Sequence, residues 1–232
     1  MKKIMNCLVG LVFGLLVANV SCAGSDVDPG PMDQGTKAAS PGTFQWAAVL
    51  GGGVDCEVIS VGVDNAGASY VLGRFSKPIT IGSTNLSTKG SHDIFLAKLD
   101  RYGKFLWATS AGGKESDAGL AMAVDGAANV YLTGTFRKDA SFGATKLTSK
   151  GETDIFVAKL NSDGKFIWTV SAGGSNFDDG YGIAADNAGN VYVTGFITRK
   201  ATFGPHTLTP KGTSDLFVTK VGSDFPDEVL LV

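Results

Sequence analysis

Three tryptophans, Trp46, Trp107 and Trp168, stand 61 residues apart. The same step carries Tyr70 to Tyr131 to Tyr192, Asp64 to Asp125 to Asp186, Asp93 to Asp154 to Asp215, Gly73 to Gly134 to Gly195, and Gly82 to Gly143 to Gly204. No insertion or deletion breaks the spacing across three units. A period this strict requires repeated supersecondary units that bury their faces against one another, because no single unit has a core of its own.

Four strand signals lie within each unit. The first is a short run such as Ile59 to Val63 or Leu120 to Val124, with large residues alternating with Ala, Ser or Gly, a period of two. A turn follows over Asp64 to Ala68, Asp125 to Asn129 or Asp186 to Asn190, with an Asx acceptor at its head. It leads into a β-branched and aromatic second strand, Val130 to Thr133 or Val191 to Thr194. The third strand is Ile94 to Leu99, Ile155 to Leu160 or Leu216 to Val221. A tight turn over Asp100 to Lys104 or Asn161 to Lys165 returns the chain into a fourth strand centred on Trp107 or Trp168, ended by Gly112-Gly113 or Gly173-Gly174. The connection between second and third strands, Ser76 to His92 in the first unit, is long, and its own strand signals predict a small extra hairpin projecting from one face. Four-stranded antiparallel sheets repeated radially are β-propeller blades.

The stretch Gly182 to Gly195, GIAADNAGNVYVTG, and the DIFVAKL segment, Asp154 to Leu160, resemble the bacterial β-propeller repeat family often described as seven-bladed, and more distantly NHL-type blades. The resemblance covers Phe44 to about Asp224. It implies an extracytoplasmic or surface location and brings no catalytic residues with it. Two departures stand out: Ala128 replaces the turn glycine of the middle unit, and the blades are too few to close a ring. The expected fold is therefore all-β, with three four-stranded antiparallel blades forming an incomplete ring or half of a dimeric one. The repeat domain spans 44–232, in units of about 44–104, 105–165 and 166–226. Phe44 to Gly52 is a fourth strand without its first three, and the last unit loses its own fourth strand, Trp168 mapping onto Val229. Two chains exchanging these strands would make six blades and a homodimer; an open arc, or Val229 to Val232 filling its own blade edge, are the alternatives.

Residues 1–22 carry the parts of an export signal: Lys2 and Lys3, an apolar run from Leu8 to Val17 too short to span a bilayer, then small residues. Asn19-Val20-Ser21-Cys22 resembles a lipobox, which implies lipidation of Cys22; Ser21-Cys22-Ala23 would serve an ordinary signal peptidase instead. The first places the chain in a bacterial cell envelope, lipid-anchored to the outer membrane or cell surface; the second makes it extracellular. Export removes Cys7 and leaves Cys22 and Cys56, which could pair as a disulfide if Cys22 carries no lipid. Residues 23–43, rich in Gly, Pro, Ser and Asp, read as a disordered tether, and Asp26, Asp28 and Asp33 lack the ligand order of a calcium loop.

Net charge moves from −2 to −4 on loss of Lys2 and Lys3, which excludes a nucleic-acid partner of the ordinary basic kind. No metal spacing surrounds His92 or His206, Gly112-Gly113-Lys114 is no phosphate loop, and no serine elbow is present, so neither a catalytic nor a cofactor or metal site is expected. Glu57, Asp178 and Asp179, read as breaking the symmetry, would be the carboxylates of a secreted propeller-type hydrolase or lyase. Two basic sets do repeat: Lys77, Lys138 and Arg199, and Lys89, Lys150 and Lys211, all on the long connection. Their summed potential makes them a candidate surface for an anionic glycan or a protein partner. The expected function is that of a non-catalytic envelope β-propeller lipoprotein, a binding or assembly module attached to the membrane through its lipid.

Overall fold

The computed structural model describes residues 42–51, 56–186 and 188–222. Cys22, the leader, most of the tether and the strand expected at Val229 lie outside them. The described residues are all-β. The first blade is built from β1 (Cys56–Val63), β2 (Ser69–Phe75), a hairpin of β3 (Ile79–Ile81) and β4 (Thr84–Leu86), then β5 (Asp93–Leu99) and β6 (Phe105–Gly113). The second repeats it with β7 (Ala118–Val124), β8 (Val130–Phe136), β9 (Asp139–Phe142), β10 (Thr145–Thr148), β11 (Asp154–Leu160) and β12 (Phe166–Gly174). The third has β13 (Asp178–Ala185), β14 (Val191–Thr198), β15 (Ala201–Phe203), β16 (His206–Leu208) and β17 (Ser214–Val221).

Ladders run antiparallel in the orders β1-β2-β5-β6, β7-β8-β11-β12 and β13-β14-β17. Two blades are complete, and the third shows three strands among the described residues. Each first strand carries a bulge at the same place, between Val58 and Ser60, Gly119 and Ala121, and Gly180 and Gly182, which adds the local twist that a blade needs.

The Asx turns form as their residues dictate. Asp125 Oδ1 accepts from the backbone N–H groups of Ala127 and Asn129, both at 2.9 Å, while Oδ2 takes the Tyr131 hydroxyl at 3.0 Å. Asp64 and Asp186 head equivalent turns. Ala128 is held at φ 63, where the other two turns use Gly67 and Gly189, so the middle unit carries a side chain in a left-handed conformation.

The cores lie between blades rather than inside them. Tyr70, Leu72, Ile94 and Leu96 of the first blade pack with Leu132, Phe136, Phe142 and Phe156 of the second. Tyr131, Ile155, Val157 and Trp168 of the second pack with Val191, Val193, Ile197 and Phe217 of the third. A third cluster covers the far side of the first blade, where Trp46, Ala48 and Leu50 lie on Val71, Phe75, Ile79 and Phe95. This is why the central strands β2, β8, β5 and β11 are buried on both faces.

The extra hairpins do not project freely. The β9-β10 hairpin pairs with the preceding blade's fourth strand, Gly112 opposite Ser141 and Gly113 opposite Ala140. The β15-β16 hairpin does the same to Gly173 and Gly174. The Gly-Gly pairs therefore belong to β6 and β12 and are their docking ends. A Cβ on Gly113 would stand 1.8 Å from the Asp139 carbonyl oxygen, and one on Gly174 2.0 Å from that of Lys200, so only glycine permits the latch.

Candidate functional site

The surface candidates lie on one rim, along the long connections and the loops that enter β7 and β13. Parallel bridges between His92 and Ser116, and between Thr153 and Phe177, join these loops across adjacent blades. Lys77, Lys138, Arg199, Lys89, Lys150 and Lys211 are all exposed there. Their duties differ. The backbone N–H groups of Lys150 and Lys211 donate to Asp154 and Asp215 at 3.0 and 2.8 Å, and Lys89 does the same for Asp93. Lys150 Nζ also reaches Thr202 Oγ1 on the next hairpin, at 2.5 Å. Lys138 Nζ is 3.0 Å from Glu115 Oε1, an exposed pair. Lys138 and Arg199 hold positive φ, 48 and 63, at the start of their hairpins. Part of the basic periodicity is thus turn geometry.

Beneath this rim lies a feature that sequence reasoning missed. Asp117 accepts from Gly113 N at 2.6 Å and Arg137 N at 3.0 Å, and Asp178 accepts from Gly174 N at 2.6 Å and Thr198 N at 2.8 Å. Asp93 and Asp154 come up beside the same Gly-Gly corners: a Cβ on Gly112 would meet Asp93 Oδ1 at 2.2 Å and Asp117 Oδ2 at 3.0 Å. Oδ1 of both Asp93 and Asp154 is buried and accepts no hydrogen bond among the described residues. Burial pushes the Asp154 carboxyl up to about 6, helped by the charge of Asp178. Burial likewise pushes Asp117 up to about 6, with Asp93 adding to it.

Asp178 is therefore no symmetry-breaking acid. It repeats Asp117 one period later, and both hold a blade junction by accepting two backbone donors; the kinship is hidden because Cys56 stands at that position in the first unit. Asp179 accepts the Thr153 and Tyr181 hydroxyls, and Glu57 pairs with Arg74 at 2.7 Å on the first blade, two blades away along the chain. The three carboxylates do not share one strand or one blade. His92 lies in the inter-blade bridge, His206 is exposed on β16, and among the described residues no group of three or more His, Cys, Asp or Glu side chains is placed to hold a metal ion.

A second missed feature is apolar. Leu216 and Val218 on β17 are 87% and 71% exposed, while their counterparts Ile155 and Val157 are 1% and 4%. At the opposite end of the arc, Val58, Val61 and Val63 on β1 are also exposed. A cavity of about 400 Å³ opens beside Phe203, Gly204, Val170, Ala172 and Val221.

Blades of this topology, packed through intervening cores and latched by hairpins, define a β-propeller-type repeat protein. Residues 167–195 match the family model described as a beta-propeller repeat, and the 61-residue period repeats the same residue pattern in the two units before it. The regulatory protein FlaEY of Caulobacter vibrioides is 29% identical over 192 residues, covering 79% of this chain and 19% of that protein. An uncharacterised WD repeat-containing protein of Acanthamoeba polyphaga mimivirus is 26% identical over 114 residues, 41% of this chain and 8% of that protein. The chain thus spans less than a fifth of the length of these relatives.

Proposed function

We propose that this β-propeller repeat chain is a non-catalytic binding or assembly module of the bacterial cell envelope, lipid-anchored through Cys22. The observation that carries the reading is the bare apolar face of β17, where Leu216 and Val218 stand in water at positions buried in both other blades. Exposed apolar surface of this kind marks an association site. The periodic carboxylates support it from the other side, since Asp117 and Asp178 are spent on backbone donors. Regulation, the role in FlaEY's name, is one use of such binding. The exposed rim cations Lys77, Lys89, Lys138, Lys150, Arg199 and Lys211 offer a further contact for an anionic glycan or acidic protein.

Metabolic labelling with radioactive palmitate, followed by envelope fractionation, tests the address. Label in the envelope fraction, lost in Cys22→Ser, is expected; an exported, unlabelled chain in the soluble fraction contradicts it.

A further inference from the structure

The bare end of the third blade has a template inside the molecule. In the first two blades the fourth strand supplies an aromatic that closes the blade's own hairpin. Phe166 packs on Phe142 with ring centroids 6.1 Å apart, and a Cβ on Gly143 would touch Phe166 Cβ at 3.0 Å. At Gly204, the same place in the third blade, a Cβ would meet nothing within 4 Å, and the cavity of about 400 Å³ opens there. The fourth strand also supplies a tryptophan that covers the second strand's tyrosine. Trp107 covers Tyr70 and Trp168 covers Tyr131, at 6.1 and 6.3 Å, and both tyrosines are fully buried; Tyr192 is 40% exposed.

A strand with these features lies at the other end of the chain, already seated. Trp107 lies over the turn of the next blade, where a Cβ on Gly164 would stand 2.8 Å from its ring. Trp46 lies over Gly103 of the first blade in the same way, at 2.7 Å. Gly51 lies against Cys56 and Ile79 at the first blade's own hairpin, the place that Gly112 takes at the second. Residues 44–51 therefore occupy the position of the fourth strand of a blade that would precede the first. Among the described residues no third strand pairs with them, and Phe44 is fully exposed.

We infer that a second copy of this chain docks head-to-tail, its residues 44–51 completing the third blade along β17, with Phe44 filling the cavity beside Phe203 and Gly204. This rests on the assembly reading above and names its partner. The register follows from β11 and β12, in which Ile155 faces Ala172, Val157 faces Val170 and Lys159 faces Trp168. Carried over by the period, Leu216 faces Leu50, Val218 faces Ala48, and Lys220 faces Trp46, which thereby covers Tyr192. The exposed Val58, Val61 and Val63 of the incoming first blade come down on Leu216 and Val218, as Met122 and Val124 come down on the first blade inside the chain. Each seam is head-to-tail, and two copies related by a two-fold axis close both seams into six blades, within the range at which such rings close. No strand has to leave its own chain's first blade, so the docking edge is preorganised.

Replacing Phe44 by the photo-crosslinker p-benzoylphenylalanine in the full chain, with isotopically light and heavy chains mixed, reads the contact directly. The expected product joins position 44 of one isotope to the peptide around Phe203 to His206 of the other. Products confined to one isotope, attachment to residues 223–232, or no attachment at the cavity overturn the inference. Leu216→Asp with Val218→Asp, both on an exposed face, is expected to weaken self-association at least tenfold while leaving the melting of a single copy unchanged; unchanged association contradicts the docking face. The palmitate experiment is indifferent to copy number, so failure here and failure of the envelope reading are separable.

Discussion

Asp154 sits directly under Gly173: a β-carbon on that glycine would fall 2.5 Å from the Asp154 Cγ. The glycine holds φ 155 and passes the chain to Gly174, whose partner is the hairpin of the next blade. Blade identity and blade order are joined at this corner. Gly173→Ala is expected to lower stability by about 1–3 kcal/mol, the usual cost of forcing extra volume into a packed site, read as a fall in urea midpoint with unchanged slope. Gly67→Ala, at an exposed turn where the nearest atom to a Cβ is 3.5 Å away, is the control for backbone strain alone. Equal losses at both positions would contradict the corner's special role.

The carboxylates at these corners make a pH prediction. Asp154, raised to about 6 by burial and the neighbouring Asp178, favours the protonated form in the folded state. The stability it contributes is fully present below the ordinary carboxylate value near 3.8 and is lost as pH rises through about 6. Asp154→Asn keeps the Lys150 N–H acceptor on Oδ and removes the charge, so it is expected to stabilise the fold at pH 7.5 by about 1–2 kcal/mol and to change little at pH 4. Denaturation at the two pH values checks this; equal effects at both would refute it.

The Asx turns titrate in the other direction. Burial opposes ionisation of Asp125, but donation from Asn129, Tyr131 and Ala127 outweighs it and holds the carboxyl below its ordinary value. That contribution is present above the unfolded value and lost as pH falls through the folded one. Asp125→Ala is expected to cost about 1–3 kcal/mol at pH 7, by stranding the donors it serves, and less at pH 2.5.

At the same turn, Ala128→Gly should raise stability by about 0.5–1 kcal/mol. Removing the left-handed strain of an alanine at φ 63 outweighs the glycine's greater freedom in the unfolded chain. Thermal melting detects the change as a rise of a few degrees. A fall would mean that the Ala128 methyl makes a contact worth more than the strain.

Much of this architecture was legible because strand period and turn chemistry act within one unit. The four strands, the Asx turns at Asp64, Asp125 and Asp186, and the packing role of Trp107 and Trp168 all follow from local rules. The hairpin between second and third strands was legible as a hairpin but not as a latch, since periodicity says which segments are alike and not which neighbour each one binds. Asp178 looked asymmetric because Cys56 interrupts its series in the first unit; the 61-residue step already pairs it with Asp117, and the bonds to Gly113 and Gly174 show the duty the two share. The six basic residues read as two periodic sets on one candidate surface, yet Lys138 is engaged by Glu115 and Lys150 by Thr202, contacts that depend on the approach of separate segments. The open faces at Leu216 and Val61 left no local signal at all, because apolar alternation is the same whether or not a neighbouring blade covers it.

The most direct test of the assembly reading is the native mass of the full chain, counted in copies by native mass spectrometry at micromolar concentration. Two copies are expected for the natural sequence, and one for Leu216→Asp with Val218→Asp. A single copy for the natural sequence, unchanged by these substitutions, would contradict it.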